Sequence, residues 1–323
     1  MAKETGLSIA TISRVINNNT NVNPKTRKRV LDACARLDYL PNSAARALST
    51  SRSKTVAAII PTIEHSVFAK FISGIEQTLD EQGYSLVMAI SNADEEAELN
   101  AARKLLGMGA EAFILTGASH SAVLMQTLAR HNVPHVLTSI WDPTNPAPTI
   151  GYDNAELAGE AVKYLIARGH RHIAVVHGPL SESDRTAARK QGAEAAGMGK
   201  AELQFIETEL SVAGGKAAAN RFLPANPECT AVLCFSDVLA MGVYFRLAEV
   251  GKSIPEDLSV MGFDNLDWSV ETVPALTTIN LPALAMGRSA ATELVRNLEK
   301  GTSVRNQHLS AEIVERASVR RIK

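Results

Sequence analysis

The sequence predicts a small all-α segment followed by a larger α/β body with parallel sheets. In the first 50 residues, apolar side chains recur at helical spacing after Gly6 and again after Pro24. From Lys54 onward, β-rich apolar runs alternate with helical stretches, the pattern of parallel strands joined by right-handed crossover helices. Charge changes at the same place. Residues 1–54 contain ten Lys and Arg against three Asp and Glu, a net charge of +7, so the rest of a chain of net charge −1 carries −8.

The residues around Gly6 predict a helix-turn-helix. Gly6 can turn the chain after a short first helix, and Ser8 can cap a second helix. Helical spacing buries Ile12, Val15 and Ile16 and leaves outward Ile9, Ala10, Ser13, Arg14 and Asn17. In a helix-turn-helix the second helix enters the DNA major groove, so this outward face predicts contacts with DNA.

A third helix is predicted to begin at Asn23-Pro24, because proline is favoured at the first helical position. It carries four basic residues, namely Lys25, Arg27, Lys28 and Arg29. An isolated run of this kind is as often only a solvated helix face. The charge of +7 on residues 1–54, set against an acidic remainder, favours a segment that binds a polyanion.

The headpiece resembles the LacI/GalR family of bacterial transcription regulators. The resemblance rests on the run from Ser8 to Asn17, on Val22, on Thr26-Arg27 and on the run from Tyr39 to Leu48. It implies that residues 42–50 form a hinge that becomes helical on operator DNA, where Leu48 wedges into a base step of the minor groove. The DNA-binding residues that it implies are Ser8, Ile9, Ala10, Thr11, Ser13, Arg14, Asn17, Thr26, Arg27, Asn42, Ala45 and Leu48.

The chain departs from this family at its first residue. Family members carry several residues ahead of the segment that resembles residues 1–4, including the beginning of the first helix and its cap. Met1 therefore falls inside the first predicted helix. We expect that the true start lies upstream; the alternative is a shortened and less stable first helix.

Composition predicts a soluble, globular, cytoplasmic protein with no cofactor and no metal. Of all residues 46% are hydrophobic and 21% are charged, and no apolar run approaches the roughly 18 residues that span a bilayer. The N-terminus lacks the basic and then apolar pattern of a signal peptide. The cysteines Cys34, Cys229 and Cys234 have no metal-like partner nearby, so we interpret them as reduced thiols, buried in the fold.

The body reads as two α/β series separated by a proline-rich connector. The predicted strands are 55–61, 84–90, 112–116, 133–140, 172–177, 203–206, 230–235 and 258–263. The predicted helices are 66–82, 94–106, 121–130, 153–168, 184–196, 214–222 and 237–250. The connector is 141–148, and the chain ends with an apolar run at 276–280, a helix over 282–298 and a strand-like piece at 312–316. Periodicity alone does not decide which sheet each strand joins.

The family resemblance implies the periplasmic-binding-protein type I arrangement, in which the chain crosses three times between two doubly wound subdomains. On that plan the headpiece is 1–50, the linker is 51–54, the N-terminal subdomain is 55–150 with 283–308, and the C-terminal subdomain is 151–282 with 309–323. Two such headpieces in a homodimer would read a pseudo-palindromic operator.

Ligands of open α/β sheets bind beyond the carboxyl ends of the strands, so we expect the binding residues to lie there. The resemblance implies an effector pocket that contains Phe68, Ser139, Arg189, Leu210, Ser236 and Asp264, and we add Trp141 at the end of a predicted strand. Phe68 matches an aromatic that stacks on the effector, and Ser236 stands where asparagine is frequent. Trp141 has simple packing as its alternative, and Asp237 is interpreted as a helix cap. The histidines His170, His172 and His177 lack further ligands at metal spacing, so we assign them structural roles.

Three classes of function are compatible with an α/β body of this kind. The leading one is a ligand-responsive, DNA-binding transcription regulator, most simply a repressor, whose effector is a sugar or sugar acid, with a nucleobase as the alternative. A solute-binding protein shares the body, but the headpiece and the missing signal pattern argue against it. An enzyme would need a dinucleotide fingerprint, a phosphate loop or a nucleophile elbow, and the sequence contains none of these motifs.

Overall fold

The computed structural model describes residues 1–16, 22–39, 52–63 and 66–322. The chain divides into two compact units, Met1–Lys54 and Thr55–Lys323, which we call the headpiece and the body.

Over residues 1–16 and 22–39 the headpiece forms three helices, α1 (Ala2–Thr5), α2 (Ile9–Ile16) and α3 (Pro24–Arg36). Gly6 has a φ of 59°, a left-handed conformation that suits glycine and turns the chain between α1 and α2. The Asn23 side chain accepts a hydrogen bond from the Lys25 amide at 2.9 Å and so caps α3. Ile12, Val15 and Val30 form the buried centre. The helix-turn-helix geometry expected from the sequence is confirmed.

The body contains eight longer helices among its described residues: α4 (Ser66–Glu81), α5 (Glu95–Gly107), α6 (Ala122–Arg130), α7 (Asn154–Ala167), α8 (Asp184–Gly197), α9 (Val212–Ala225), α10 (Asp237–Glu249) and α11 (Ala283–Lys300). Its strands are β1 (Thr55–Ile60), β2 (Ser85–Ile90), β3 (Ala112–Thr116), β4 (His135–Thr138), β5 (Thr149–Gly151), β6 (His172–His177), β7 (Glu202–Glu207), β8 (Ala231–Cys234), β9 (Ser259–Met261), β10 (Thr278–Asn280), β11 (Gln307–His308) and β12 (Glu312–Val314). Two short 3₁₀ helices cover Leu180–Glu182 and Asp267–Val270.

These strands form two parallel sheets. The first sheet has the order β11-β5-β4-β3-β1-β2, and the second sheet has the order β7-β6-β8-β9. The pair β10-β12 is antiparallel. Helices cover both faces of each sheet, and α4 packs against α11, α7 against α8, and α9 against α10. Strands buried on both faces read as continuous apolar runs, which is why residues 55–60 and 172–177 were recognisable as strands.

The sequence patterns missed the short elements. Strand β5 follows the proline-rich connector directly and has only three residues, too few for a periodic signal. Helix α9 continues to Ala225 although Pro224 lies in its last turn, where the missing amide removes only one helical hydrogen bond. Residues 307–308 join the first sheet and residues 312–314 pair with β10, while the exact subdomain boundaries stay a prediction.

In the described ranges, no helix is both long and apolar enough to cross a membrane.

Candidate functional site

The carboxyl ends of both sheets open onto one cavity of about 90 Å³. Its lining comes from the segments that follow β4 to β10 and from α4, α8 and α11. Six of the seven effector residues expected from the sequence line it: Phe68, Ser139, Arg189, Leu210, Ser236 and Asp264. The fold therefore brings together residues that lie up to 196 positions apart, since Phe68 and Asp264 are both in the wall.

Arg189 is the buried cation of this cavity, with 8% of its surface exposed. Its Nε donates to Asn154 Oδ1 at 2.9 Å, and its Nη1 donates to the Phe235 carbonyl at 2.8 Å. The guanidinium lies 3.9 Å from the centre of the Phe263 ring. Burial lowers the pKa of Arg189 from its ordinary value, although the guanidinium remains charged near neutral pH. Three contacts thus hold one orientation of a planar donor group.

Asp264 is the matching buried acceptor. Its backbone has a φ of 121°, and its Oδ2 accepts a hydrogen bond from Ser236 Oγ at 2.8 Å. Burial raises the pKa of Asp264 to about 6, and the nearby Arg189 opposes this rise. At neutral pH the carboxylate is therefore mostly ionised and offers lone pairs to the cavity.

Asp237 has a different role from the expected helix cap. Ser236 caps α10, because its Oγ accepts the Val238 amide at 3.3 Å. The Asp237 carboxylate is completely buried, and it accepts the Thr278 hydroxyl at 2.6 Å and the Leu266 amide at 2.8 Å. Burial, assisted by the charge of Asp264, raises the pKa of Asp237 to about 7. It ties α10 to the segment that carries Asp264.

The remainder of the cavity wall is mainly apolar and aromatic. Phe68, Phe71, Phe235 and Met286 provide ring and side-chain surface. Tyr152 also lines the cavity and is 4% exposed, and its burial raises the pKa of the phenol. Sequence reasoning missed Tyr152 because it missed β5; once that strand is known, Tyr152 is simply the residue at its carboxyl end.

The cavity continues into a wider cleft. This cleft has two adjoining parts, with volumes of about 280 and 450 Å³, and both Ser183 and Arg185 line each part. Polar contacts connect the two sides of this cleft. Asp184 of α8 accepts the Ala118 and Ser119 amides that follow β3. A second contact joins α4 to the 3₁₀ helix Asp267–Val270, where Lys70 Nζ lies 2.6 Å from Asp267 Oδ1.

Trp141 lies outside the residues that line the cavity. Its ring stacks on His308 with centroids 5.1 Å apart, so it packs the first sheet where β11 joins β5. His170 bonds Thr230 and the Arg320 carbonyl, and the His177 Nδ1 lies 2.8 Å from the Gly178 carbonyl. Within the residues that the structure describes, no group of three or more His, Cys, Asp or Glu is arranged to hold a metal.

The headpiece presents the expected face of α2. Ser8, Ile9, Ala10, Ser13 and Arg14 are exposed, and the Ile9 side chain is 78% exposed despite being apolar. Thr11, Thr26 and Arg27 are half-buried. Four further DNA-binding residues inferred from the sequence lie outside the described residues: Asn17, Asn42, Ala45 and Leu48.

Two stretches of the chain match known protein families. Residues 1–42 match bacterial regulatory proteins of the lacI family, and residues 53–315 match the periplasmic binding proteins and sugar binding domain of the LacI family. The chain belongs to the LacI family. This family consists of DNA-binding transcription regulators that bind operator DNA as dimers and respond to small molecules, and not of enzymes.

Individual relatives support this membership along the whole chain. The protein is 32% identical to catabolite control protein A of Priestia megaterium over 94% of this chain and 92% of that one. It is 30% identical to the repressor PurR of Vibrio atlanticus over 99% and 97%.

Solved structures agree with this similarity. The lac repressor dimer bound to operator and the anti-inducer ONPF matches with a TM-score of 0.88 at 27% identity, over 99% and 97% of the two chains. A LacI family regulator from Enterococcus faecium with bound ribose matches with a TM-score of 0.73 at 25% identity, over 83% and 100%.

Proposed function

We propose that this LacI family regulator is a dimeric repressor controlled by a sugar or sugar acid bound in the cavity between the two sheets. The effector contacts are Phe68, Ser139, Arg189, Leu210, Ser236 and Asp264, while Trp141 is left to a packing role. The DNA contacts are the α2 face, Thr26 and Arg27, and the hinge residues Asn42, Ala45 and Leu48. The subdomain boundaries at 150, 282 and 308 belong to the same proposal.

The observation that carries this proposal is the buried pair Arg189 and Asp264 with Ser236 in one cavity. A carboxylate accepts two hydrogen bonds from neighbouring hydroxyl groups, and a fixed guanidinium donates to hydroxyl or carboxylate oxygens. The aromatic wall suits the apolar face of a sugar ring. A sugar or sugar acid offers both hydroxyl groups to Asp264 and oxygen acceptors to Arg189.

A nucleobase is the second candidate. It is favoured by Phe68, whose ring lines the cavity and can stack on a planar base. A base offers ring nitrogens and amino groups to Asp264 instead of vicinal hydroxyl groups. The two candidates therefore share the same residues and differ in the ligand that binds.

Calorimetric titration of the full chain tests both candidates, with D-ribose, D-gluconate and hypoxanthine as probes. Loss of one hydrogen bond to a charged partner costs about 1.5–3 kcal/mol, so Asp264→Asn should weaken binding about tenfold or more. Operator binding without effector should be unchanged, because an effector acts only through its different affinity for two conformations.

The matched control is Glu256→Gln, which changes an exposed carboxylate ahead of β9. It should bind the same probe as tightly as the wild type does. Unchanged affinity in Asp264→Asn would remove Asp264 from the effector site. Lost operator binding without effector would instead make Asp264 a structural residue.

A further inference from the structure

Asn154 is a buried amide that joins the two sides of the cavity. It is the first residue of α7, it is 4% exposed, and it lies three residues after β5, where the chain passes from the first sheet to the second. Its Nδ2 donates to the Ser139 carbonyl at 2.8 Å. Its Oδ1 accepts from Arg189 Nε at 2.9 Å. Ser139 follows β4 of the first sheet, whereas Arg189 lies on α8, which packs with α7 on the second sheet.

The orientation of this amide follows from its partners. Arginine has only donors and a carbonyl oxygen is only an acceptor, so the amide oxygen must face Arg189 and the amide nitrogen must face Ser139. Of the natural side chains that are short and planar, asparagine alone offers a donor and an acceptor in this arrangement. Aspartate keeps the acceptor for Arg189 and loses the donor for Ser139.

Backbone contacts on both sides hold the amide in place. A Cβ on Gly151 would collide with the Ile140 backbone, so the chain ahead of α7 lies directly against the residue after Ser139. A Cβ on Gly192 would collide with the Ala155 backbone, so α8 lies directly against the residue after Asn154. A shift of Arg189 therefore moves Asn154, and a shift of Asn154 strains its hydrogen bond to the Ser139 carbonyl.

We propose that Asn154 is a positioning residue that passes a displacement of Arg189 to Ser139 and the first sheet. This inference rests on the proposed effector cavity, since Arg189 is the group that a bound effector would shift. Packed polar chains with two discrete arrangements are the physical means by which such displacements travel. The effector would thus move the first sheet through a side chain that need not touch the effector itself.

A double-mutant cycle tests this link in the full chain without any effector. The variants are Arg189→Lys, which loses the Nε donor, Asn154→Ala, and the two together. The measurement is backbone hydrogen exchange of residues 135–141, which report the surroundings of Ser139. Each single variant should speed exchange about fivefold or more, as expected when one buried hydrogen bond is lost. The double variant should exchange no faster than Asn154→Ala alone.

The matched control is Asp153→Ala, which removes the cap of the same helix, since Asp153 accepts the Glu156 amide at 2.9 Å. It keeps both hydrogen bonds of the Asn154 side chain, so residues 135–141 should exchange more slowly than they do in Asn154→Ala, and Arg189→Lys should still act fully in its background. Additive effects of Arg189→Lys and Asn154→Ala, or equal effects of Asp153→Ala and Asn154→Ala, would overturn the proposal.

Asn154→Asp decides the question if Asn154→Ala does not fold. It retains the acceptor for Arg189 but loses the donor for Ser139, so it should speed exchange around Ser139 and cancel the effect of Arg189→Lys there. A full effect of Arg189→Lys in the Asn154→Asp background would reject the link. Failure of every probe to bind in calorimetry would reject the proposed effector class and leave this exchange result standing.

Discussion

Two neighbouring carboxylates of the second sheet show how position decides what a residue can do. Asp264 faces the cavity and bonds Ser236, whereas Asp237 is enclosed by Thr278 and the Leu266 amide. Both have raised pKa values, because burial penalises the ionised form, and the charge of Asp264 raises the pKa of Asp237 further. Asp264 can therefore bond a ligand in the cavity, whereas Asp237 bonds only groups within the fold.

Asp237 should make stability depend on pH in a defined direction. Its pKa rises from 3.8 to about 7 on folding, so the folded chain holds this proton more tightly than the unfolded chain does. Its contribution to stability is complete below pH ~4 and is lost as the pH rises through about 7. Asn cannot ionise, so the melting temperature of Asp237→Asn should improve relative to the wild type between pH 5 and pH 8. Glu256→Gln should show no such trend, and a difference that is constant with pH would contradict the assignment.

Arg14 and Arg27 should differ in what they read on DNA. Arg14 is exposed on the outward face of α2, and Arg27 is half-buried in the basic helix α3. Arg14→Ala should cost about 1–3 kcal/mol on the operator and little on random DNA, as expected for a base contact. Arg27→Ala should weaken both equally and reduce the salt slope by about one, as expected for a phosphate contact. Fluorescence anisotropy over a range of salt concentrations measures both effects, and equal losses on both DNAs for both variants would defeat this assignment.

At the scale of elements, the helices of the headpiece are placed by a few local features. Gly6 turns the chain, Ser8 Oγ accepts the Thr11 amide at 3.2 Å, and Asn23 caps α3. These features depend only on residues close in sequence, so the helices could be predicted from local patterns. The strand β5 could not, because its three residues are extended by pairing with β4 and β11.

The hinge element is a prediction from the sequence, since residues 42–50 lie outside the described residues. Leu48 is the last large apolar residue before the polar stretch 49–53, and a DNA base step would bury it. Leu48→Ala should lower operator affinity and DNA bending while leaving effector binding unchanged. Energy transfer between dyes at the two ends of an operator fragment measures the bend. A bend equal to that of the wild type would rule out the wedge.

At the scale of the whole molecule, close backbone packing joins helices that are far apart in sequence. Gly192 of α8 lies against the Ala155 backbone of α7, and Gly287 of α11 lies against the Phe71 backbone of α4. Each pair carries a wall of the cavity, because Arg189 is on α8 and Phe68 is on α4. The cavity therefore depends on distances that side chains larger than glycine would not allow.

Gly192→Ala tests this dependence. The added methyl group would collide with backbone and not with a flexible side chain, so the helices must separate, at a cost of about 1–3 kcal/mol or more. Thermal unfolding should show a lower melting temperature for the body. Gly107→Ala is the control, because Gly107 is also helical and has nothing within 4 Å of the added group. Equal melting temperatures for the two variants would show that α7 and α8 can move apart freely.

The sequence alone determined the helix-turn-helix, the longer strands and helices of the body, and the residue types of the cavity. It could do so because caps, turns and hydrophobic periodicity are local. The resemblance to one family also indicated that Phe68, Arg189 and Asp264 belong to one pocket. Only the tertiary structure decided that Ser236 caps α10, that Trp141 stacks on His308 outside the cavity, and that Asn154 joins Ser139 to Arg189. These contacts connect residues brought together by sheet pairing and helix packing, and no local pattern contains the distances that such packing sets.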